Sequence, residues 1–279
     1  MKEPKFKLIC IDLDGTLLSD DKKIPTENIK AIQEAINSGV KICIATGRIY
    51  KFVDHIKDKI SNKIEVIASN GALIVNNREF ILNYLSYNEV LKIKDIAKDY
   101  DLEMYLNTED TIISEGSIPE SYTYKITNER LEDKYKVNFL EKYSFERLIE
   151  DNKYNILKVV LMNKNKLEEI RKVRDALEKS GEFEICSSEP QFCEVNSKGI
   201  SKGRAVEELA KELGIDIKDV ICIGDGGNDL EMLKRAGLSV AMANAPDEVK
   251  NIANYITESN NESGVSKAIK KLILENINY

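Results

Sequence analysis

Histidine is almost absent: the 279 residues contain one, His55. A Ser-His-Asp or Cys-His catalytic unit, or a zinc site built on several histidines, therefore has little material. Catalysis must rest on carboxylates, lysine or metal. Cysteine is sparse and unpatterned. Cys10, Cys43, Cys186, Cys193 and Cys222 are an odd number with no C-x-x-C spacing, which supports neither a disulfide framework nor a zinc ribbon and fits a reducing cytoplasm. Long hydrophobic runs are missing at the N-terminus, where the apolar stretch Leu8 to Ile11 stops at Asp12, far short of a signal-peptide core or a spanning helix. A soluble cytoplasmic protein with no membrane partner is expected. Positive charge is not in excess either. Lys plus Arg at 41 against Asp plus Glu at 48 leaves −7, which argues against a general nucleic-acid or anionic-membrane binder and leaves room only for a local basic pocket.

What is present is an alternation of short β-rich runs with amphipathic helical stretches, the pattern of an α/β fold with a mainly parallel sheet. Strands are expected at 8–11, 41–45 and 64–68. Helices are expected at 26–38, with Thr26 as N-cap, and at 49–60. The Asn70-Gly71 turn leads into a hairpin-like pair, ALIV and EFIL. From residue 84 to 190 the character shifts toward tyrosine and charge, and the segment reads as a separate α+β unit. Its expected pieces are helices at 88–100, within 119–136 and at 165–180, and strands at 102–106, 110–114, 156–162, 183–187 and 191–195. The α/β alternation then resumes with a helix at 201–213, a strand at 220–224, a helix from Asn228 to Ala236, a strand at 238–242 and terminal helices at 246–252 and 262–276. At about 150 residues per domain the length allows roughly two. The pattern divides them into a discontinuous Rossmann-like parallel-sheet core (1–83 and 191–279) and an inserted α+β cap (84–190). No repeat, low-complexity segment or flexible Pro/Gly/Ser linker is evident.

The residues able to carry chemistry sit at the ends of these elements. Asp12-Leu13-Asp14-Gly15-Thr16 follows the first strand, where open α/β sheets place ligands. Two semi-buried carboxylates two residues apart repel each other unless a cation offsets them, and Mg²⁺ suits hard oxygen ligands and substrate phosphate. Ala45-Thr46-Gly47-Arg48 ends the second strand with a hydroxyl, a glycine N–H and a helix start, together an anion-binding corner. Gly224-Asp225-Gly226-Gly227-Asn228-Asp229 supplies two further carboxylates and an amide, with two glycines that leave the loop free. Lys202 opens a helix, an unfavourable place for a cation unless an anion is positioned there. Taken singly, each has a plainer explanation: an Asx turn, an N-cap, a helix-start carboxylate, a solvated lysine.

Together and in this order, the four segments resemble the haloacid dehalogenase-like hydrolase superfamily over nearly the whole chain. The insertion, the Asn70-Gly71-Ala72 element, the Gly-Asp-x-x-Asn-Asp motif and the run Val240 to Ala245 are similar to the Cof-type (subfamily IIB) phosphatases. The resemblance implies a Mg²⁺-dependent phosphatase of small phosphorylated metabolites such as a sugar phosphate, a nucleotide-like or a vitamin phosphate. It implies Asp12 as nucleophile through an aspartyl-phosphate and Asp14 as general acid, then base. Asp12, the main-chain carbonyl of Asp14 and Asp225 would hold Mg²⁺, with Asp229 in support. Thr46, the N–H groups of Leu13 and Gly47, Lys202 and Asn228 would hold the phosphoryl oxygens. Substrate choice would come from the cap, with Tyr122, Tyr124, Lys125, Arg130 and Lys134, or Glu189 to Phe192, as candidates. A monomer or homodimer is expected. A phosphomutase, marked by dependence on a bisphosphate activator, and an idle phosphometabolite sensor are the alternatives. Retention of both Asp12 and Asp14 argues against the sensor.

Overall fold

The computed structural model describes residues 4–151, 153–187 and 189–274. Along the first part of the chain lie β1 (Leu8–Ile11), α1 (Thr26–Asn37), β2 (Lys41–Ala45), α2 (Tyr50–Asp58), β3 (Glu65–Ala68), β4 (Leu73–Asn76) and β5 (Glu79–Leu82). The middle holds α3 (Tyr87–Ala97), β6 (Glu103–Asn107), β7 (Thr111–Ile113), α4 (Thr123–Asn128), β8 (Asn138–Leu140), α5 (Phe145–Asp151), β9 (Lys158–Met162), α6 (Leu167–Ser180), β10 (Phe183–Cys186) and β11 (Phe192–Ser197). The last part comprises α7 (Lys202–Glu212), β12 (Val220–Gly224), α8 (Leu230–Arg235), β13 (Leu238–Ala241), α9 (Asp247–Lys250), β14 (Tyr255–Ile256) and α10 (Gly264–Ile269).

Two sheets result. The first has the order β14-β13-β12-β1-β2-β3-β4-β5, parallel from β14 to β3 and antiparallel across β4 and β5. Its strands are near-continuous apolar runs because both faces are covered. Ala31, Ile32, Phe52, Val53, Val265 and Ile269 of α1, α2 and α10 pack one face; Val206, Leu209, Met232, Leu233 and Val249 of α7, α8 and α9 pack the other. β1 pairs with β2 on one side and β12 on the other, so the strand order reverses there and opens a crevice beyond the C-terminal end of β1. Cys10, Cys43 and Cys222 are in register across these strands and fully buried, small hydrophobes of the core.

The second sheet, β10-β11-β9-β6-β7-β8, is antiparallel except for β7 with β8. One face packs Val90, Ile93, Ile170, Val173 and Leu177 of α3 and α6. From the opposite face Tyr105, Val160 and Met162 join the cluster that includes the first sheet's core.

Several expectations shift. Pro25, not Thr26, caps α1, with no side-chain hydrogen bond; its fixed φ of −55° presets the helix entry instead. The Asn70-Gly71 turn does lead into the β4–β5 hairpin, reversing the chain between β3 and β4, and the hairpin's own turn is Asn77-Arg78, both left-handed. The helical region within 119–136 is one short helix plus a turn at Asp133–Tyr135, and β8, only three residues long, and the charge-rich α5 follow unanticipated. The core pattern does not resume at 191. β11 pairs with β9 and β10, turning Cys193 and Val195 into the second unit's core, so the change of sheet falls between Ser197 and Lys202. The last helix is Gly264–Ile269, widening into a π-type stretch over Lys270–Leu274; residues 275 and 276 of the expected helix lie outside the described residues.

Asn28 ties three segments of the first unit. Fully buried on α1, it donates to the Leu17 carbonyl (3.3 Å) and accepts from the Ser266 N–H of α10 (2.9 Å). Asn28→Ala leaves both backbone groups buried and unpaired, so a loss of about 2–4 kcal/mol is expected in a urea titration. A loss below about 0.5 kcal/mol would show that these groups find other partners.

Candidate active site

The end of β1 places Asp12 at the crevice. Its N–H extends the β1–β12 ladder by donating to the Ile223 carbonyl (2.9 Å), and its side chain is buried. Lys202, the first residue of α7, reaches it: Nζ donates to Asp12 Oδ1 at 2.6 Å and to Asp229 Oδ1 at 2.7 Å, with the lysine 1 % exposed. The anion that a lysine at a helix start requires is thus supplied by two of the protein's own carboxylates. Burial opposes the ammonium, but Asp12 and Asp229 together hold Lys202 protonated well above its ordinary range. Gly71 lets the chain pass close to this helix start: at φ +105° a Cβ there would stand 2.4 Å from the Ser201 carbonyl oxygen.

The loop after β12 is braced from within. Asp229 Oδ2 accepts from the N–H groups of Asp225 (3.0 Å) and Gly226 (2.9 Å), which offsets the looseness expected of Gly226-Gly227. Asp225 in turn accepts from Thr16 Oγ1 (2.7 Å) and from Asn244 Nδ2 (3.3 Å), and the same Asn244 amide donates to the Gly15 carbonyl (2.8 Å). Gly15 has φ +79°, and a Cβ there would lie 2.3 Å from Asp225 Oδ2, so only glycine allows the two loops to meet.

Oxygens of Asp12, Asp225 and Asp229 lie within 4.8 Å of one another. Three carboxylates against one ammonium leave two negative charges in a largely buried site. Burial, followed by the charge of Asp229, pushes the Asp12 carboxyl well up. Burial pushes Asp225 up to about 6, against the hydrogen bond from Thr16. An all-oxygen, doubly negative donor set fits Mg²⁺. Asp229 already directs both oxygens at Lys202 and the loop N–H groups, so Asp12 and Asp225 are the carboxylates best placed to hold the ion, with Asp229 behind them.

Asp14 is held differently. Arg48 grips it with a fork, Nε to Oδ2 at 2.5 Å and Nη2 to Oδ1 at 2.6 Å, while Lys22 Nζ adds 2.9 Å to Oδ1. Burial opposes the charge, but these cations hold the Asp14 carboxyl down at about 2. The guanidinium also lies over the Phe52 ring, 4.3 Å from its centroid. The Thr46–Arg48 loop rests on the left-handed turn after β3: Ser69 N donates to the Arg48 carbonyl (2.9 Å) and Asn70 N to the Thr46 carbonyl (3.1 Å). From the second unit, Lys158 Nζ donates to the Gly47 carbonyl (2.7 Å) and to Glu194 Oε2 (3.0 Å), and Asn70 Nδ2 donates to the same Glu194 oxygen (2.6 Å).

A cavity of about 360 Å³ lies between the two sheets. Asp12, Asp14, Thr46, Gly47, Asn228, Asp225 and Asp229 line it, so seven of the nine expected site residues share one wall. Leu13 turns its side chain into the core and Lys202 lies beneath Asp12; neither lines the cavity. Of the expected cap residues, Tyr122, Tyr124, Glu189 and Phe192 line it; Lys125 instead pairs with Glu120 and Glu141, and Arg130 and Lys134 are not on its wall. Sequence reasoning gave no role to Arg48, Lys22, Lys158, Glu194 or Asn107, all of which line the cavity. A signal existed for two of them: Lys158 and Glu194 are charges inside otherwise apolar strands, KVVLM and FCEVN.

With this geometry in place, the family comparison is decisive. A profile of haloacid dehalogenase-like hydrolases matches residues 9–269, and the chain belongs to that family. It is similar to Bacillus subtilis YcsE, a 5-amino-6-(5-phospho-D-ribitylamino)uracil phosphatase, at 34% identity over 96% of each chain, and to the B. subtilis phosphatase YwpJ at 31% identity over 96% of this chain and all of the other. Among solved structures, a haloacid dehalogenase-like hydrolase from B. subtilis superposes with a TM-score of 0.84 (28% identity; 96% of this chain, 100% of the other). The subclass IIB sugar phosphatase BT4131 gives 0.77 (29% identity; 95% and 98%). Within the family, the protein is a phosphatase of subclass IIB. Among the described residues no helix is long and apolar enough to cross a membrane.

Asp14 yields a pH test. Its folded pKa lies below the ordinary carboxylate value of about 3.9, so the stability its pairing contributes is complete above that value and lost as pH falls through about 2. In the metal-free protein a carbon NMR titration should find Asp14 ionised to about pH 2, and Arg48→Gln should move its titration up toward 4. An Asp14 resonance already titrating near 4 in the unsubstituted protein would contradict the Arg48 fork.

Proposed function

We propose that the protein is a Mg²⁺-dependent phosphatase of small phosphorylated metabolites that works through an aspartyl-phosphate on Asp12. The observation that carries this reading is the placement of Asp12. It lies at the end of β1, hydrogen-bonded by a buried lysine, beside two further metal-suited carboxylates, with Asp14 lining the same cavity.

In the first half-reaction a carboxylate oxygen of Asp12 attacks phosphorus, the ester P–O bond breaks, and the leaving oxygen takes a proton from Asp14. In the second, Asp14 accepts a proton from water as the water oxygen attacks phosphorus, and cleavage of the acyl-phosphate P–O bond frees Asp12. Asp12, Asp225 and the Asp14 main-chain carbonyl would hold Mg²⁺, which would neutralise charge on these groups and on the phosphoryl oxygens. Lys202 holds Asp12 in place and favours its ionised form against the burial that opposes it. Thr46, the Leu13 and Gly47 N–H groups and Asn228 receive the phosphoryl oxygens, so most of the rate enhancement comes from positioning and fixed charge.

Asp14 cannot donate a proton while Arg48 keeps it ionised near pH 2. A phosphate dianion entering the cavity competes for the guanidinium, and release of Arg48 raises the Asp14 pKa toward the range an acid needs. A cavity of about 360 Å³ lined in part by the second unit suits a small metabolite better than a bulky phosphoprotein. The YcsE substrate, a phosphorylated polyol carrying a uracil ring, is of this class.

Asp12→Asn should abolish Mg²⁺-dependent hydrolysis of p-nitrophenyl phosphate while leaving the far-ultraviolet circular dichroism spectrum intact, and EDTA should do the same to the unsubstituted protein. Undiminished turnover in Asp12→Asn would remove Asp12 from the nucleophile's role.

A further inference from the structure

The carbonyls of Thr46, Gly47 and Arg48, in the loop after β2, are each held by a donor from outside that loop. Thr46 and Arg48 accept from the N–H groups of Asn70 (3.1 Å) and Ser69 (2.9 Å), and Gly47 accepts from Lys158 Nζ (2.7 Å), which comes from the second sheet. The second sheet also supports the Ser69–Asn70 turn, because Asn196 Nδ2 donates to the Ser69 carbonyl (3.0 Å). With its carbonyl oxygens occupied, the loop has N–H and hydroxyl groups left for an anion. An ammonium is an unusual group for holding one carbonyl. Lys158 opens β9, whose five residues KVVLM are all buried, and is itself 3 % exposed. Burial opposes its charge, but Glu194, whose Oε2 lies 3.0 Å from Nζ and also accepts from Asn70 Nδ2 (2.6 Å), holds the lysine protonated. Replacing a buried ion pair by apolar residues of similar volume is often neutral or stabilising, so folding alone gives no reason for this one.

What the ammonium fixes is one peptide unit. A trans peptide points its carbonyl and its N–H in opposite directions. Holding the Gly47 oxygen on Lys158 therefore aims the N–H of the same unit, that of Arg48, the other way, where it donates to Thr46 Oγ1 at 3.2 Å. A charged donor on the carbonyl also polarises the unit and strengthens that N–H. As acceptor of this bond, the Thr46 hydroxyl keeps its own hydrogen to donate. Without the ammonium the Gly47 carbonyl has to find another donor, and rotation of the peptide toward one carries the Arg48 N–H off Thr46.

We propose that Lys158 is a positioning residue for phosphoryl transfer: from the second unit it fixes the Gly47–Arg48 peptide, and through it the Thr46 hydroxyl, in the orientation that receives a phosphoryl oxygen. This rests on the phosphatase reading above. Lys158 acts through the loop, so its effect is the same whatever leaving group the substrate carries.

The test uses Lys158→Met and the double variant Lys158→Met with Glu194→Gln. The single variant strands the Glu194 carboxylate and should lower the thermal midpoint. The double variant removes that charge, keeps an acceptor for Asn70 and should recover most of the midpoint. Both should lose about 10–100-fold in kcat/KM, by the same factor for p-nitrophenyl phosphate and 4-methylumbelliferyl phosphate, and inorganic phosphate should inhibit both more weakly. In the metal-free protein the backbone amide nitrogen resonance of Arg48 should shift in both variants, because the Gly47 carbonyl of the same peptide has lost its charged donor. Activity that returns with the midpoint in the double variant would make Lys158 merely structural, and a loss confined to one ester would make it a contact for the leaving group. Either result overturns the proposal, as does an unmoved Arg48 resonance. If the unsubstituted protein with Mg²⁺ does not hydrolyse even p-nitrophenyl phosphate, it is the phosphatase reading that has failed, and the Arg48 resonance still decides whether Lys158 holds the peptide.

Discussion

One buried ammonium organises the catalytic end of this molecule. Lys202 sits between Asp12 and Asp229, all three hidden from solvent. Pairing of this kind adds little net stability, but removal of one partner strands an uncompensated buried charge and costs about 3–5 kcal/mol. That asymmetry fixes α7 against the ends of β1 and β12. Gly71 then has to pass the Ser201 carbonyl without a side chain, and the Asp225–Gly226 N–H groups fold back onto Asp229. Even with this ammonium the three carboxylates leave the site two negative charges from neutrality, an excess that a divalent cation would offset.

The second unit is joined to this centre by polar contacts to the loop after β2 and to α2. Lys158 ends on the Gly47 carbonyl, Tyr124 accepts from the Ile49 N–H (3.2 Å), and Tyr135 donates to Asp58 (2.8 Å). On the proposed reading a substrate would meet the core through its phosphate and the second sheet through its leaving group.

Much of this was legible in the sequence, and the reason is physical. β1, β2 and β12 are buried on both faces, so their apolar runs end sharply where the loops begin, and Asp12, Thr46 and Asp225 each follow such an ending. What stayed hidden depends on tertiary approach. Arg48 reads as an ordinary residue after a Thr-Gly turn until the fold brings Asp14 within hydrogen-bonding distance. β11 reads as the resumption of the core because its apolar alternation fits either sheet, and only pairing with β9 and β10 decides.

The central claim is that Asp12 is the atom-level link between fold and reaction, and trapping tests it most directly. During turnover of p-nitrophenyl phosphate with Mg²⁺, acid quenching followed by mass spectrometry of proteolytic fragments should find the phosphoryl group on the peptide containing Asp12. Turnover at full rate with the phosphoryl group on a different residue, or on none, would contradict the account.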